Sequence, residues 1–518
     1  MATTEPQHDQ HARDAADLAR FGYKQELKRT LGVFSSFAVA FSYISPSTGI
    51  FTLYFLALSI GGAMFWTWPV VAFGQLLIAL NWAELSSHYP IAGSVFQWTK
   101  YLSGRTYAWF TGWIYLFAGI ITVAAVVATL PLALIPALNS MFGSHLNNTL
   151  GSSDQRTIAL ITLVVITVLN IYGVRLVAIV NNTGVIFEIL GMVVFAFVLA
   201  LFHNHQGVGV IFKTGGAKLN GSTFLIAMFM SLFVIYGFDT ASTLAEETKD
   251  PRREAPKAVL ASIIGAFVIG AIFLWGTLMA IPSMKDAINT SNFVGPQTII
   301  EANLSSAFAT VYLLVVSAAI FVCCMSIMTS TVRLCFGMSR DDQLPAAKSL
   351  ARVSPRLHTP IWSCIVVALF SAIPFIQFAG ATIIAVSATA MIYLSYFLGG
   401  IAVLRARSKG WPRVKAPFSL GKWGVVVNVL GLVWGGAMLV NFLTPAKNTD
   451  SLRVFSNPKA NQTGGLVNFH VAFLNKIPVI ELVMVAVIVV GAVYYFGFQR
   501  RKPFTPVIPP EEVTEAAR

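Results

Sequence analysis

Ser45-Pro46-Ser47-Thr48-Gly49 sits inside an apolar run at roughly 31–58, and Tyr236-Gly237-Phe238-Asp239-Thr240 sits inside another at roughly 223–247. Both stretches are misplaced for an unbroken helix. Pro46 lacks an N–H and clashes with the turn before it. Gly49 tolerates backbone angles that other residues avoid, and so does Gly237. Asp239 adds a carboxylate in the middle of an apolar segment. Unwound backbone in hydrocarbon is tolerated only where it lines a cavity or is covered by protein. Freed N–H groups at a half-helix start favour anions, and freed carbonyls favour cations. A kink at Pro46 with close packing at Gly237 is the plainer alternative. The pairing of breaks in the first and sixth apolar runs, one five-helix unit apart, instead predicts two halves of inverted topology with a site between them.

The rest of the chain has the composition this demands. Of 518 residues, 56% are hydrophobic and only 11% charged, with mean hydropathy +0.71 and formal net charge +13. A soluble domain usually carries about 25% charged residues. An ordinary soluble enzyme, a disordered chain and a collagen-like fibre are therefore excluded, and an all-α integral membrane protein is predicted. Crossing ~30 Å of hydrocarbon takes about 20 helical residues. Twelve transmembrane segments are predicted, near 31–58, 64–87, 108–137, 157–173, 176–202, 223–247, 258–281, 307–334, 360–379, 381–404, 423–444 and 477–498. Their all-round apolarity excludes a barrel, whose strands alternate. With the amino terminus inside, 27 basic residues fall on the cytoplasmic side and 8 outside. That asymmetry puts both termini in the cytoplasm. It also explains the net charge without a nucleic-acid partner.

The polar first 30 residues lack the apolar stretch of a signal peptide and read as a tail ending in the basic Lys24, Lys28 and Arg29. His8 and His11 read as solvated. Cys323, Cys324, Cys335 and Cys364 read as small buried hydrophobes, with no metal-ligand spacing. The outer loop near 446–476 is polar, with Gly464 and Gly465. Asn147 and Asn461 head Asn-x-Ser/Thr triplets too frequent by chance to be informative.

Few acids lie well inside the spans: Glu188 in the fifth and Asp239 in the sixth. A central carboxylate costs roughly 2.5–3.5 kcal/mol on insertion scales, so each must face the interior and find a partner. Gly184 and Gly191 put Glu188 on a small-residue face suited to helix packing. No lysine or arginine lies deep in a span, which gives a pocket of negative character. Tyr43, Phe233, Tyr236, Phe238 and Trp113 are the aromatics available for cation–π contact, against a background of ordinary packing.

Several stretches resemble the amino acid–polyamine–organocation superfamily, most closely its amino acid/choline branch. They are Ser47-Thr48-Gly49-Ile50, Ala83-Glu84-Leu85, Tyr89-Pro90-Ile91-Ala92-Gly93-Ser94 with Gln97-Trp98 and Gly112-Trp113, and Tyr236-Gly237-Phe238-Asp239. Further on come Ala245-Glu246-Glu247-Thr248-Lys249-Asp250-Pro251 with Pro256, Ser339-Arg340-Asp341-Asp342-Gln343-Leu344-Pro345 and Ala416-Pro417-Phe418-Ser419-Leu420-Gly421. The resemblance covers about residues 25–500. It implies a LeuT-type 5+5 inverted repeat with broken helices 1 and 6. The units are a cytoplasmic tail at 1–30, one repeat at 31–202, the other at 223–404, two peripheral helices at 423–498 and a cytoplasmic tail at 499–518. It implies a plasma-membrane permease that imports an amino acid, 4-aminobutyrate, choline or a polyamine by alternating access. The substrate site it implies is Ser45, Ser47, Thr48 and Gly49, with Tyr236, Gly237, Phe238 and Asp239. No cofactor is implied beyond a sodium ion or proton for coupling. Many relatives carry a lysine in span 5 that stands in for a sodium ion between spans 1 and 8. Here Asn181-Asn182-Thr183-Gly184-Val185-Ile186-Phe187 leads to Glu188 instead. A carboxylate cannot replace a sodium ion, which leaves it to bind one, carry a proton or contact a cationic substrate. Thr329 and Ser330 are the span 8 oxygens available if sodium is used.

Glu246 and Glu247 close span 6 at its cytoplasmic end, where acids oppose the helix dipole. The expected compensation is an inner gate in which Lys249, Arg252, Arg253 or the basic tail pair with them. A solvated charged loop is the alternative. Two further classes compete with a transporter: a membrane-embedded enzyme, for which no His-Asp or multi-His cluster is present in the spans, and a nutrient sensor of the same fold. No Walker-type loop supports direct ATP drive.

Overall fold

The computed structural model describes residues 7–27, 29, 31–289, 295–376, 380–443 and 479–502. The outer loop at 446–476 and the tail beyond 502 lie outside the described residues. Lys28 does too.

Among the described residues the chain is helical. Ten helices are long and apolar enough to cross a membrane, and Gly221–Val234 and Ile361–Phe375 are shorter apolar helices. This is a multi-pass membrane protein. The tail forms α1 (Gln7–Ala19). The first apolar run is split into α2 (Val33–Ile44) and α3 (Pro46–Leu58). α4 (Thr67–His88) follows, then a short helix between the second and third predicted spans, α5 (Ser94–Ser103). α6 (Arg105–Phe142) has 38 residues and is about 57 Å long at 1.5 Å per residue. α7 (Ser153–Tyr172) and α8 (Val174–Phe202) follow.

The sixth run gives α9 (Gly221–Val234), begun by a capping box between Asn220 and Thr223. It resumes only as the single turn α10 (Thr240–Thr243) and a 3-10 turn at Ala245–Glu247. The helix expected to reach residue 247 is thus interrupted at 235–239 and continues only as these short turns. α11 (Pro251–Met279), the short α12 (Met284–Asn289) and α13 (Pro296–Asn303) lead to α14 (Ser306–Arg340). Then come α15 (Ala347–Leu350), α16 (Ile361–Ala372), α17 (Ala381–Arg407), α18 (Gly424–Leu443) and α19 (Val479–Gly497).

The break in the first run has a sharper cause than a kink. Ser45 adopts a left-handed conformation (φ 35°, ψ 86°), and its N–H closes the last turn of α2 on Phe41 O at 2.8 Å. Pro46 then takes the first position of α3, where its missing N–H costs nothing. Gly49 does not supply an unusual backbone angle, contrary to expectation. It lies within α3, and a Cβ there would come 2.2 Å from Val234 Cγ2. Its role is to let α3 approach α9. Gly237 does both jobs: φ is +83°, and a Cβ would fall 2.0 Å from the Tyr43 ring. The backbone of one break therefore rests against a side chain beside the other. Gly184 and Gly191 similarly seat α8 on α14, where their Cβ atoms would meet Val322 and Val315 at 2.4 and 2.8 Å.

The loop motifs are ties at one end of the helices. Glu84 ends its span in a buried ion pair with Arg407. It also accepts from Leu420 N at 2.9 Å and Ser419 Oγ at 3.2 Å, so the 416–421 stretch is pinned beneath α4.

Candidate functional site

The breaks meet at a narrow cavity of about 10 Å³, room for about one water molecule. It is lined by Tyr43, Ile44, Thr48, Gly49, Thr122, Val126, Phe233, Tyr236, Cys323 and Ile327, which come from α2, α3, α6, α9, the second break and α14. Of the sequence-predicted residues, Thr48, Gly49 and Tyr236 are on its wall, and so are the aromatics Tyr43 and Phe233. Tyr43 and Tyr236 meet edge to face at 6.2 Å, and Phe233 and Tyr236 at 6.0 Å. Thr122, Val126, Cys323 and Ile327 were not anticipated. Thr122 is one of several hydroxyls in its span, with Thr111, Tyr115 and Thr129, and nothing in the sequence singled out either it or Cys323. All four cysteines are buried free thiols.

Ser45 and Ser47 turn to Glu188. Its Oε1 accepts from Ser45 Oγ at 2.7 Å, Ser47 Oγ at 2.7 Å and Ser47 N at 3.3 Å. Glu188 is 1% exposed. It thus faces the amino-terminal end of α3, where the helix dipole and free donors favour an anion.

Asp239 lies elsewhere. Its Oδ2 accepts from Tyr115 OH at 2.5 Å and Ser94 Oγ at 2.9 Å, and its Oδ1 accepts from Tyr396 OH. The same Tyr396 oxygen accepts from Gly237 N at 3.1 Å. Asp239 therefore clamps the second break onto α5, α6 and α17 and is not on the cavity wall. Phe238 packs against Tyr396 on this side as well, with ring centroids 5.6 Å apart. Trp113 is displaced further: it stacks on Trp109 and donates to Val487 O at 2.9 Å.

Thr329 and Ser330 do not join Glu188. Thr329 donates to Asn170 Oδ1 at 2.6 Å, and Ser330 accepts from Thr240 Oγ1 at 3.3 Å. The described residues contain no cluster of three or more His, Cys, Asp or Glu suited to a metal ion.

Glu246 and Glu247 are paired, but with other cations than the sequence suggested. Glu246 forms a two-toothed bond with Arg340 (2.8 and 2.9 Å) and accepts from Ala92 N at 3.0 Å. Glu247 meets Arg333 Nε at 2.6 Å, both side chains 1% exposed. Arg252 pairs with Asp17 at 3.2 Å, and Arg253 reaches Asp250 at 3.9 Å. The amino-terminal segment seals this end. Leu31 N donates to Glu247 O, Lys249 N donates to Leu31 O, and Arg29 Nη1 donates to Ala245 O and Thr248 O. Arg340 also lies 3.9 Å above the Tyr23 ring. Next to it, Lys100 reaches Asp341 at 2.6 Å. Burial pulls the Lys100 ammonium below its usual range, and Asp341 opposes that shift.

Residues 31–458 match the family described as Amino acid permease. The chain belongs to that family. The permease is 28% identical to amino-acid permease BAT1 of Arabidopsis thaliana over 459 residues, covering 83% of this chain and 88% of the relative. It is 28% identical to the branched-chain amino acid permease BcaP of Bacillus subtilis, over 66% of this chain and 73% of the relative. It is 24% identical to the GABA-specific permease of Saccharomyces cerevisiae, over 67% and 63%. The permease is a membrane transporter and not an enzyme, as its relatives are.

Proposed function

We propose that this permease is a secondary active transporter that imports an amino acid or a related small amine across the plasma membrane by alternating access. The single observation that carries the reading is the meeting of two helix breaks around one cavity, with Gly237 against Tyr43 and Gly49 against Val234. The site comprises the α3 start, the cavity aromatics and the second break. It is reached when the two halves rock against each other. Counting the shorter apolar helices Gly221–Val234 and Ile361–Phe375 with the ten longer ones gives twelve spans. They divide into repeats at 31–202 and 223–404 and a peripheral pair at 423–498. The basic-residue asymmetry supports cytoplasmic termini.

The pairs Glu246–Arg340 and Glu247–Arg333, with the amino-terminal segment beneath them, form the closed inner gate and separate when the site opens inward. A proton or sodium gradient supplies the drive, with Glu188 as the titrating or ligating carboxylate. The names of the relatives point to amino acids, branched-chain amino acids and 4-aminobutyrate as first candidates. The test is uptake of radiolabelled candidates into proteoliposomes under an imposed proton or sodium gradient. Accumulation that collapses with the gradient is expected. Binding without flux would favour a sensor, and flux only against internal substrate would favour an exchanger.

A further inference from the structure

The start of α3 is already occupied by an anion from the protein itself. Pro46 brings no N–H, the N–H of Ser47 is given to Glu188, and the hydroxyls of Ser45 and Ser47 converge on the same Oε1. Glu188 is fixed in that position, because Gly184 and Gly191 hold its helix close against Val322 and Val315 of α14. It also stands just behind the cavity: Ser45 Oγ, which donates to it, lies 2.7 Å from Oγ1 of the cavity-lining Thr48. The cavity wall includes no lysine, arginine or histidine. It presents the rings of Tyr43, Phe233 and Tyr236.

We propose that Glu188 is a specificity-determining residue: it supplies the carboxylate at the start of α3, so the site takes an organic ammonium ion that brings no carboxylate of its own. A substrate carboxylate would enter beside an existing one and find the Ser47 N–H and the Ser45 and Ser47 hydroxyls taken, and like charges in one site oppose each other. An ammonium ion is attracted by the resident charge and by the ring faces. This rests on the transporter reading above and narrows its substrate.

The test uses the full-length protein in proteoliposomes and pairs of compounds that differ by one carboxyl group: ornithine and putrescine, lysine and cadaverine, serine and ethanolamine. Uptake and thermal stabilisation are measured for both members. The amine is expected to act at concentrations lower by about tenfold or more, the scale of one charge-assisted contact. Read by thermal stabilisation, which does not need coupled uptake, Glu188→Gln should abolish that preference, and Glu188→Asp should retain most of it. The comparison within the unaltered protein needs no variant to fold. Equal or better uptake of the amino acid member overturns the inference and leaves the transporter reading standing. No uptake of either member, across these pairs and the candidates named above, overturns the transporter reading and the inference with it.

Discussion

Gly237 carries two constraints at once, a left-handed backbone and contact with the Tyr43 ring. A left-handed conformation costs an ordinary residue about 1–2 kcal/mol, and forcing an extra methyl into packed surroundings costs about 1–3 kcal/mol. Gly237→Ala should therefore lower stability by about 2–5 kcal/mol and remove uptake. Thermal unfolding in detergent checks the first part; an unchanged melting point would mean that the break does not need glycine. Asp239 shows where residue-level reading stops. An acid beside a break looks like an ammonium partner, yet its three donors, Ser94, Tyr115 and Tyr396, come from segments 124 to 157 residues away. No local pattern announces them. Asp239→Asn removes one accepting oxygen from that clamp, a loss of about 1.5–3 kcal/mol. Uptake of cationic and zwitterionic substrates should fall together. A loss confined to cations would restore the ammonium role.

At the scale of elements, the hydrophobic runs were legible because an uncovered apolar helix needs lipid, and their centres match the helices. The second part of the sixth run was not legible. Its residues are apolar enough for a helix, but Tyr396 and the amino-terminal segment satisfy part of its backbone in other ways. The pairing of Glu246 and Glu247 was half legible. Acids at the end of that run demanded cations, but nearness in sequence favoured Arg252 and Arg253, which bond Asp17 and Asp250 instead. The true partners sit on α14, 86 and 94 residues away. Removing one member of a buried pair strands the other charge, at about 3–5 kcal/mol. Glu247→Arg and Arg333→Glu should each depress uptake and melting temperature, and the double exchange should recover part of both. Uptake untouched by Glu247→Arg would leave the pair a mere structural tie.

Across the whole molecule, sequence patterning was sufficient for a multi-pass membrane protein, and the spacing of the motifs for its family. It could not show that Glu84 would hold the 416–421 loop more than three hundred residues on, or that Glu188 would face Ser45 and Ser47. Those are products of helix packing, and they decide chemistry that composition leaves open. One feature of that packing turns the native chain into its own reporter. Every thiol is buried, and Cys323 alone of the four lines the space between the breaks. A small water-soluble maleimide should leave the resting protein largely unmarked and alkylate Cys323 faster as turnover exposes the centre. Mass spectrometry would read the adduct directly, and Cys323→Ser would serve as the blank. Alkylation at the same rate with and without a transported solute would mean that the centre never opens to water on the timescale of the assay.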